Sequence, residues 1–280
     1  ERLPFIGTGV DLLEGITPWY RPGSFDGAHL LGGRIPYPFY HPSNSNVSFD
    51  GPDLDGFALT MKNPVGDNLE VFGVAAGVWL DEVEDGADAS LWGTQIGFTW
   101  LVPDMEDTYA TMAIAYYDYG NVEGAPVITA GSDGTGNNTV VGGEFVNDYD
   151  LLVVNGEISF PSCPGLECPV TVFGEVASNM GATTSDTDAY LVGLSVGEIA
   201  DPGDWQLIYN YRVIGKDAVF DSHNAGIGLT TDVTGSVIEL GYKLAENCSL
   251  AATYEIGRQN VSTATVSDYE ALTLGITVGF

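Results

Sequence analysis

Apolar and polar residues alternate with a period of two through most of the chain. The last residues give one example, in which Leu272, Leu274, Ile276, Val278 and Phe280 alternate with Thr273, Gly275, Thr277 and Gly279. The same alternation runs through residues 204–214, 235–244 and 249–257. A period of two is typical of β-strands with one apolar face, and the 3.6-residue period of helices is nearly absent. The pattern therefore predicts an all-β fold.

Twelve strands are predicted from this alternation. They span residues 28–36, 55–63, 68–80, 89–102, 107–119, 149–160, 169–179, 188–198, 204–215, 235–244, 248–258 and 268–280. Short turns and long loops alternate between them, with 161–168 as long as some of the loops. Outer-membrane barrels have short periplasmic turns and long external loops, which a soluble sandwich does not require. We therefore predict a transmembrane antiparallel up-and-down β-barrel with its long loops extracellular and its short turns and C-terminus periplasmic.

The opposite face of the predicted strands carries many small, polar or charged residues, which suits a crowded or wet lumen. Trp79, Trp100 and Trp205 lie near strand ends, where interfacial aromatic girdles are found. Residues 28–280 are assigned to the barrel, and residues 1–27 to an N-terminal segment that forms an extra strand or a plug. The full barrel is expected to hold about 12–16 strands, since sequence before Glu1 would enlarge it.

The charge of the chain narrows the function further. Acidic residues number 39 against 8 Lys and Arg, for a net charge of −31. Such a chain is not a nucleic-acid binder, because neutralising phosphates requires basic residues. Its aromatic and β-branched content argues against disorder. No apolar run reaches the ~18–20 residues of a membrane helix, which leaves strands as the spanning elements.

Three segments resemble the family of Gram-negative outer-membrane proteins described as putative porins. They are residues 33–39 (Gly-Arg-Ile-Pro-Tyr-Pro-Phe), 53–59 (Asp-Leu-Asp-Gly-Phe-Ala-Leu) and 202–212 (Pro-Gly-Asp-Trp-Gln-Leu-Ile-Tyr-Asn-Tyr-Arg). The similarity covers roughly residues 30–280. Tyr37 stands where the family pattern has Asn, so the loop before the second strand is expected to differ. The resemblance implies a diffusion channel.

Strand phase predicts which charged residues face the lumen. These pore-lining residues are Arg34, Lys62, Glu70, Glu157, Glu175, Arg212, Glu239, Lys243 and Glu255. An inward placement is expected because a Lys or Arg on the lipid face costs about 2–4 kcal/mol at mid-depth. The alternative is that these charges pair across a packed interior.

The loops carry most of the excess negative charge. One loop forms an acidic vestibule of Asp81, Glu82, Glu84, Asp85 and Asp88. Such a vestibule concentrates cations, so a mild cation preference is predicted, although a solvated acidic surface would look the same. The carboxylates of 50–56 lack the EF-hand ligand order, so only loose Ca²⁺ binding is expected and no other cofactor.

The segment 36–42 is rich in Pro and Tyr and leads into a long loop. We expect it to fold inward and narrow the pore, with Arg34 against Glu70 or Glu255 setting a transverse field. A structural Arg34 bonded to loop carbonyls is the alternative.

The remaining chemistry is limited. Cys163 and Cys168 flank a tight turn and are expected to form a disulfide in an oxidising compartment, with two free thiols as the alternative. His223 follows Asp221 and Ser222, but adjacency in sequence says little about a catalytic triad, so no enzyme is predicted.

Two functions remain from this reasoning. The first is a porin for ions and small hydrophilic solutes, with the lipid bilayer and lipopolysaccharide as partners and a homotrimer by analogy with other porins. The second is a structural outer-membrane barrel that uses its acidic loops for envelope or surface-layer contacts.

Overall fold

A computed structural model of the chain describes residues 27–42, 54–81, 87–105, 107–126, 138–162, 168–220 and 231–279. The regular elements among these residues are all β-strands. They are β1 (Ala28–Ile35), β2 (Leu54–Pro64), β3 (Leu69–Asp81), β4 (Ala89–Leu101), β5 (Tyr109–Gly120), β6 (Val140–Val141), β7 (Glu144–Phe145), β8 (Tyr149–Phe160), β9 (Val170–Asn179), β10 (Asp188–Gly197), β11 (Trp205–Ile214), β12 (Val233–Ala245), β13 (Cys248–Gln259) and β14 (Ser267–Val278). No helix in this part of the chain is long and apolar enough to cross a membrane.

Twelve of these strands form one antiparallel sheet in which each strand pairs with its neighbours in the chain. The order is β1-β2-β3-β4-β5-β8-β9-β10-β11-β12-β13-β14, while β6 and β7 form a separate two-stranded hairpin. The predicted all-β, up-and-down architecture is confirmed, and both ends of each of the twelve strands lie within two residues of their predicted positions. The sheet is consistent with a barrel, although no pairing of β14 with β1 occurs among the described residues.

One face of the sheet, the outer face, is apolar and exposed. Large side chains at alternate positions point away from the molecule on nearly every strand, among them Phe57, Trp92, Ile96, Met112, Leu152, Val192, Leu207, Leu240, Leu250 and Leu274. A soluble sandwich would bury such a face against a second sheet. An exposed apolar face of this extent fits a lipid environment instead.

Tryptophans mark two levels on the outer face. Trp79 and Trp92 lie near the loop ends of β3 and β4, and Trp100 and Trp205 lie near the turn ends of β4 and β11. At ~3.3 Å per residue, the eight steps from Trp92 to Trp100 span about 26 Å along the strand. Allowing for strand tilt, this approaches the apolar band of about 25 Å in outer-membrane barrels.

The inner face has two halves. At the loop end it is dry on ten strands, whose inward side chains are no more than 7% exposed, but not on β13 and β14, where Gln259 is half-buried and Ser267 is exposed. We call the dry part the packed layer, and it consists of Ile35, Leu54, Val78, Leu91, Tyr119, Tyr149, Ala177, Ala189, Ile214 and Val233. Toward the turn end the inner face carries Thr, Ser, Gln, Glu and Lys, while the inward Arg212 lies two residues from the loop end of β11. The polar half therefore lies below an apolar one.

Candidate pore lining and constriction

The segment 36–42 lies against the inner face and is fixed there by a glutamine. Gln95 accepts a hydrogen bond from the Tyr40 backbone N–H (2.7 Å) and donates one from Nε2 to the Tyr40 carbonyl (2.8 Å). Asn155 donates a further bond to the same carbonyl at 3.3 Å. Gln95 is only 2% exposed. The Gln95 amide thus bonds both the N–H and the carbonyl of Tyr40, as the backbone of a neighbouring strand would. Without it, these buried backbone groups would lose a hydrogen-bond partner.

Aromatic rings hold the same segment on both sides of Tyr40. The Phe39 ring packs edge-on against Tyr117 with centroids 4.9 Å apart, and the Tyr37 hydroxyl donates to the Tyr117 hydroxyl at 2.9 Å. Tyr40 packs edge-on against Phe72 at 5.6 Å. These contacts place seven residues of chain inside the curve of β3, β4, β5 and β8. The expected inward fold of 36–42 is therefore what the structure has.

Two glycines of β4 make room for these rings. A Cβ atom at Gly93 would overlap the Phe39 ring, and one at Gly97 would overlap the Phe72 ring. Both positions face inward on either side of Gln95, since the register pairs them with Tyr117 and Ala113 of β5. Residues 93–97 thus form the surface that binds the segment. Gly93 and Gly97 leave space for aromatic rings, and Gln95 between them supplies the hydrogen bonds.

The phenols of the segment stay protonated. Burial raises the pKa of the Tyr37 hydroxyl well above its ordinary value, with the neighbouring Tyr117 as a further cause. Burial likewise raises the pKa of Tyr40, and the Glu157 carboxylate adds to the effect. The segment therefore brings neutral hydroxyls into the interior, and charge there must come from the strands.

Two predicted pore-lining carboxylates lie beside the segment. Glu157 on β8 and Glu175 on β9 are 7% and 2% exposed on the inner face. The Asn155 amide that binds the Tyr40 carbonyl also lies 3.5 Å from Glu175 Oε2. The structure thus brings both glutamates close to the segment 36–42.

A second group of predicted pore-lining residues lies on β11, β12 and β13. The Arg212 guanidinium donates from Nε and Nη2 to Asn210 Oδ1 at 3.0 and 2.9 Å. Glu239 and Glu255 occupy inner-face positions of the next two strands, because the register aligns Glu239 with Ile208 and Glu255 with Val237. One cation therefore lies on the same stretch of wall as two carboxylates.

A third group lies near the turn end. Lys62 and Glu70 form an ion pair of 2.7 Å, with side chains 47% and 17% exposed. Lys243, also predicted to line the pore, lies half-buried on the inner face of β12 opposite Ser249. These charges are more accessible than those beside the segment 36–42.

Arg34 does not follow the predicted phase. The register places it opposite Asp55, on the outer face with Phe57, while Leu31 and Ile35 face inward. The reason is that β1 has apolar residues on both faces, so that a period of two does not distinguish them. The expected transverse field from Arg34 is corrected accordingly, and Arg212 is the buried inward arginine of the described residues.

Several other predicted features lie largely outside the described residues. Of the acidic vestibule, Asp88 is described and exposed, whereas Glu82, Glu84, Asp85 and the Asp81 side chain lie outside what the structure describes. His223 and Phe280 also lie outside. Cys163 is not described, so the predicted bridge from Cys163 to Cys168 lies outside the described residues, in which Cys168 and Cys248 form no disulfide. Within the described ranges, no group of three or more His, Cys, Asp or Glu could hold a metal ion.

Sequence reasoning did not single out Gln95, Asn155 or Tyr117. The sequence did carry a signal for Gln95. A large amide side chain that faces inward between two glycines, Gly93 and Gly97, has no side chain beside it on its own strand to hydrogen-bond with. Asn155 and Tyr117 continue the alternation of their strands and carry no separate signal.

A known protein family matches the part of the chain that contains the segment 36–42. A family model described as "Putative porin" matches residues 19–148, which include β1 to β5 and the segment 36–42. A comparison with curated proteins finds no match. The family match indicates a channel rather than an enzyme and implies an outer-membrane location. The resemblance to the putative porin family that the sequence suggested is therefore confirmed by the match over residues 19–148.

Proposed function

We propose that the protein is an outer-membrane channel through which ions and small hydrophilic solutes diffuse passively, with a mild preference for cations. The observation that carries this proposal is the segment 36–42, bound by Gln95 across an inner face that carries charge. A segment that crosses the interior beside buried carboxylates narrows the path and sets its polarity. Lumen width and wall charge decide what passes such a channel.

The proposed cation preference follows from the inner-face charges. Among the described residues these are the acidic Glu70, Glu157, Glu175, Glu239 and Glu255 and the basic Lys62, Arg212 and Lys243. Acidic groups outnumber basic ones, and Glu157 and Glu175 lie at the constriction. Negative walls of low dielectric raise the local concentration of cations and lower that of anions.

Planar-bilayer recordings test the proposal. Purified protein should give stepwise currents, and a tenfold KCl gradient should give a reversal potential on the cation-selective side. Replacing Glu157 and Glu175 by Gln should move the reversal potential toward zero, because it removes charge at the narrowest level. Glu246→Gln, an exposed residue of the turn after β12, is the matched control and should leave selectivity unchanged. Stepwise currents with anion selectivity would contradict the cation preference alone.

A second function, a structural barrel acting through its acidic loops, is favoured by one observation. The packed layer at the loop end is dry, as it would be in a filled barrel. Under this alternative, wild type and all variants would be silent in bilayers while the protein still inserts into liposomes.

The proposed setting is an outer membrane, with the bilayer and lipopolysaccharide against the outer face, the long loops outside and the short turns in the periplasm. A homotrimer is proposed by analogy with other porins. Analytical ultracentrifugation in detergent tests the oligomer, and protease digestion of intact cells tests the side on which the loops lie.

A further inference from the structure

Three loop segments meet over the packed layer at the loop end of the sheet. We call residues 138–148, 180–187 and 215–220 the loop cap. Its apolar centre is Phe220, a fully buried ring whose centroid lies 5.4 Å from Tyr119, 5.3 Å from Tyr149 and 5.2 Å from Phe145. Tyr119 and Tyr149 are inward residues of β5 and β8. The loop cap therefore rests directly on the strand walls.

A single buried carboxylate ties the three segments together. Asp217, 1% exposed, accepts hydrogen bonds from the Thr139 N–H (2.8 Å) and from the Thr139 hydroxyl (2.6 Å). It also accepts one from the Thr184 hydroxyl at 2.8 Å, and the Tyr149 hydroxyl lies 3.4 Å away. Each of these partners is neutral. The charge is thus held by a cluster of donors from two other loop segments and a strand.

Asparagine side chains reinforce the same junction. Asn138 donates to the carbonyls of Lys216 (2.8 Å) and Val219 (3.0 Å), and Asn179 donates to the Asp217 carbonyl at 2.9 Å. Asn147 accepts from the Thr183 N–H at 3.1 Å. These bonds run from side chain to backbone, and one backbone bond also joins two of the segments, from the Asp217 N–H to the Asp186 carbonyl at 3.0 Å. A few local groups therefore decide whether the loop cap stays in place.

The proposed channel requires a wet path through the loop end, whereas the loop cap and the packed layer keep most of that end apolar and dry. The packed layer leaves no wet surface at that level on ten of the twelve strands, whereas Gln259 and Ser267 continue the level on β13 and β14 as accessible polar residues. The wall below the packed layer is polar and charged. A polar path that stops beneath a removable apolar layer fits a closed conformation. Loops held by side-chain contacts open at lower free energy than paired strands do.

We propose that the loop cap is the gate of the channel and that Asp217 is the latch that holds it closed. This proposal rests on the proposed function, since a gate requires a path to close. Opening breaks the bonds of Asp217 to Thr139 and Thr184 and lifts Phe220 away from Tyr119 and Tyr149. The inner wall of the packed layer then becomes wet and continuous with the polar half below.

Single-channel recordings of Asp217→Asn test the latch. Asparagine keeps the size of the side chain but replaces charge-assisted bonds by weaker neutral ones, so the open probability should rise about tenfold. The conductance of each open channel should equal that of wild type, because the path below is unchanged. Asp201→Asn, the same change at an exposed position in the turn before β11, is the matched control and should behave as wild type.

A reversible cross-link tests the gate independently of that variant. Thr139→Cys with Asp217→Cys, in a protein whose three native cysteines are replaced by Ser, joins two side chains that already meet. The oxidised protein should be closed, and reduction with dithiothreitol in the same bilayer should open it. Equal open probability in all variants and in both redox states would overturn the gate and leave the channel standing. Silence of every variant, including the reduced pair, would instead overturn the channel.

Discussion

At the scale of single residues, Gln95 connects the wall of the sheet to the segment that narrows it. Replacing it by Leu keeps the volume but leaves the Tyr40 N–H and part of the carbonyl without their partner. An unsatisfied buried backbone group costs about 1–3 kcal/mol, so Gln95→Leu should destabilise the folded protein by about 2 kcal/mol. The freed segment should also widen the pore and raise single-channel conductance. Urea titration in liposomes and bilayer recordings measure the two effects.

The control for this change is Gln206→Leu. Gln206 is also an inner-face glutamine, but it donates to Ser195 on the next strand and lies far from Tyr40 along the sheet. Gln206→Leu should therefore leave the single-channel conductance at the wild-type value. An equal rise in conductance for both variants would mean that the segment 36–42 is not what narrows the path.

The Tyr40 hydroxyl gives a second prediction at this scale, in alkaline solution. Because burial raises its pKa above the ordinary 10.0, the folded state keeps a proton that the unfolded chain releases. The associated stability is complete below about pH 10 and is lost as the pH rises from there toward the folded-state pKa. Tyr40→Phe removes this dependence, so its unfolding free energy should fall less steeply than that of wild type between about pH 9 and 11.5.

Urea titrations at several pH values measure these slopes. Tyr190→Phe removes a hydroxyl from the exposed outer face and should keep the wild-type slope. A Tyr40→Phe slope identical to wild type would show that the hydroxyl ionises without disturbing the segment.

At the scale of the element, the alternation of residues could be turned into strands almost without error, but not always into faces. Most strands have one large apolar row and one small or polar row, so period and phase are both encoded. β1 has Leu30 and Leu31 on opposite faces, and its phase is set only by pairing with β2. The alternation therefore predicts the wrong face for Arg34, since nothing within a strand of that composition distinguishes its two faces.

β14 allows the two faces to be tested against each other. Leu272, Leu274 and Ile276 form its outer row and are 64, 73 and 64% exposed. If this row faces lipid, Leu274→Lys should reduce the unfolding free energy by about 2–4 kcal/mol. Thr273→Lys, one residue away on the inner face, should cost far less. Urea-induced unfolding from phosphatidylcholine liposomes measures both, and equal costs would argue against a lipid-facing row.

At the scale of the whole molecule, the sheet could be predicted and much of its filling could not. Strand order follows from short turns, and each turn is local in sequence. The contacts of Phe220 and Asp217 join three loops separated by tens of residues, and loop residues carry no periodic pattern. Of these interior contacts, only the inward fold of the segment 36–42 could be predicted, from its unusual run of Pro and Tyr. The packing at the loop end depends on the positions of these loops, which the strand pattern does not encode.

Closure of the sheet is the remaining property of the whole molecule, and it has a direct test. Lipid cannot satisfy the free backbone groups of β1 and β14, so in a membrane these edges must pair. Both strands run between the same two ends, with Ala28 and Val278 at the turn end. In a protein without native cysteines, Leu30→Cys should therefore cross-link with Cys at one of positions 272, 274 or 276, all outer-face sites. The product should be a single chain of altered mobility on denaturing gels, abolished by reduction. Leu30→Cys with Leu194→Cys, a site in the middle of the sheet, should not cross-link. Cross-linked dimers in place of a bridged monomer would mean that the edges pair between two copies and that one chain does not close the barrel alone.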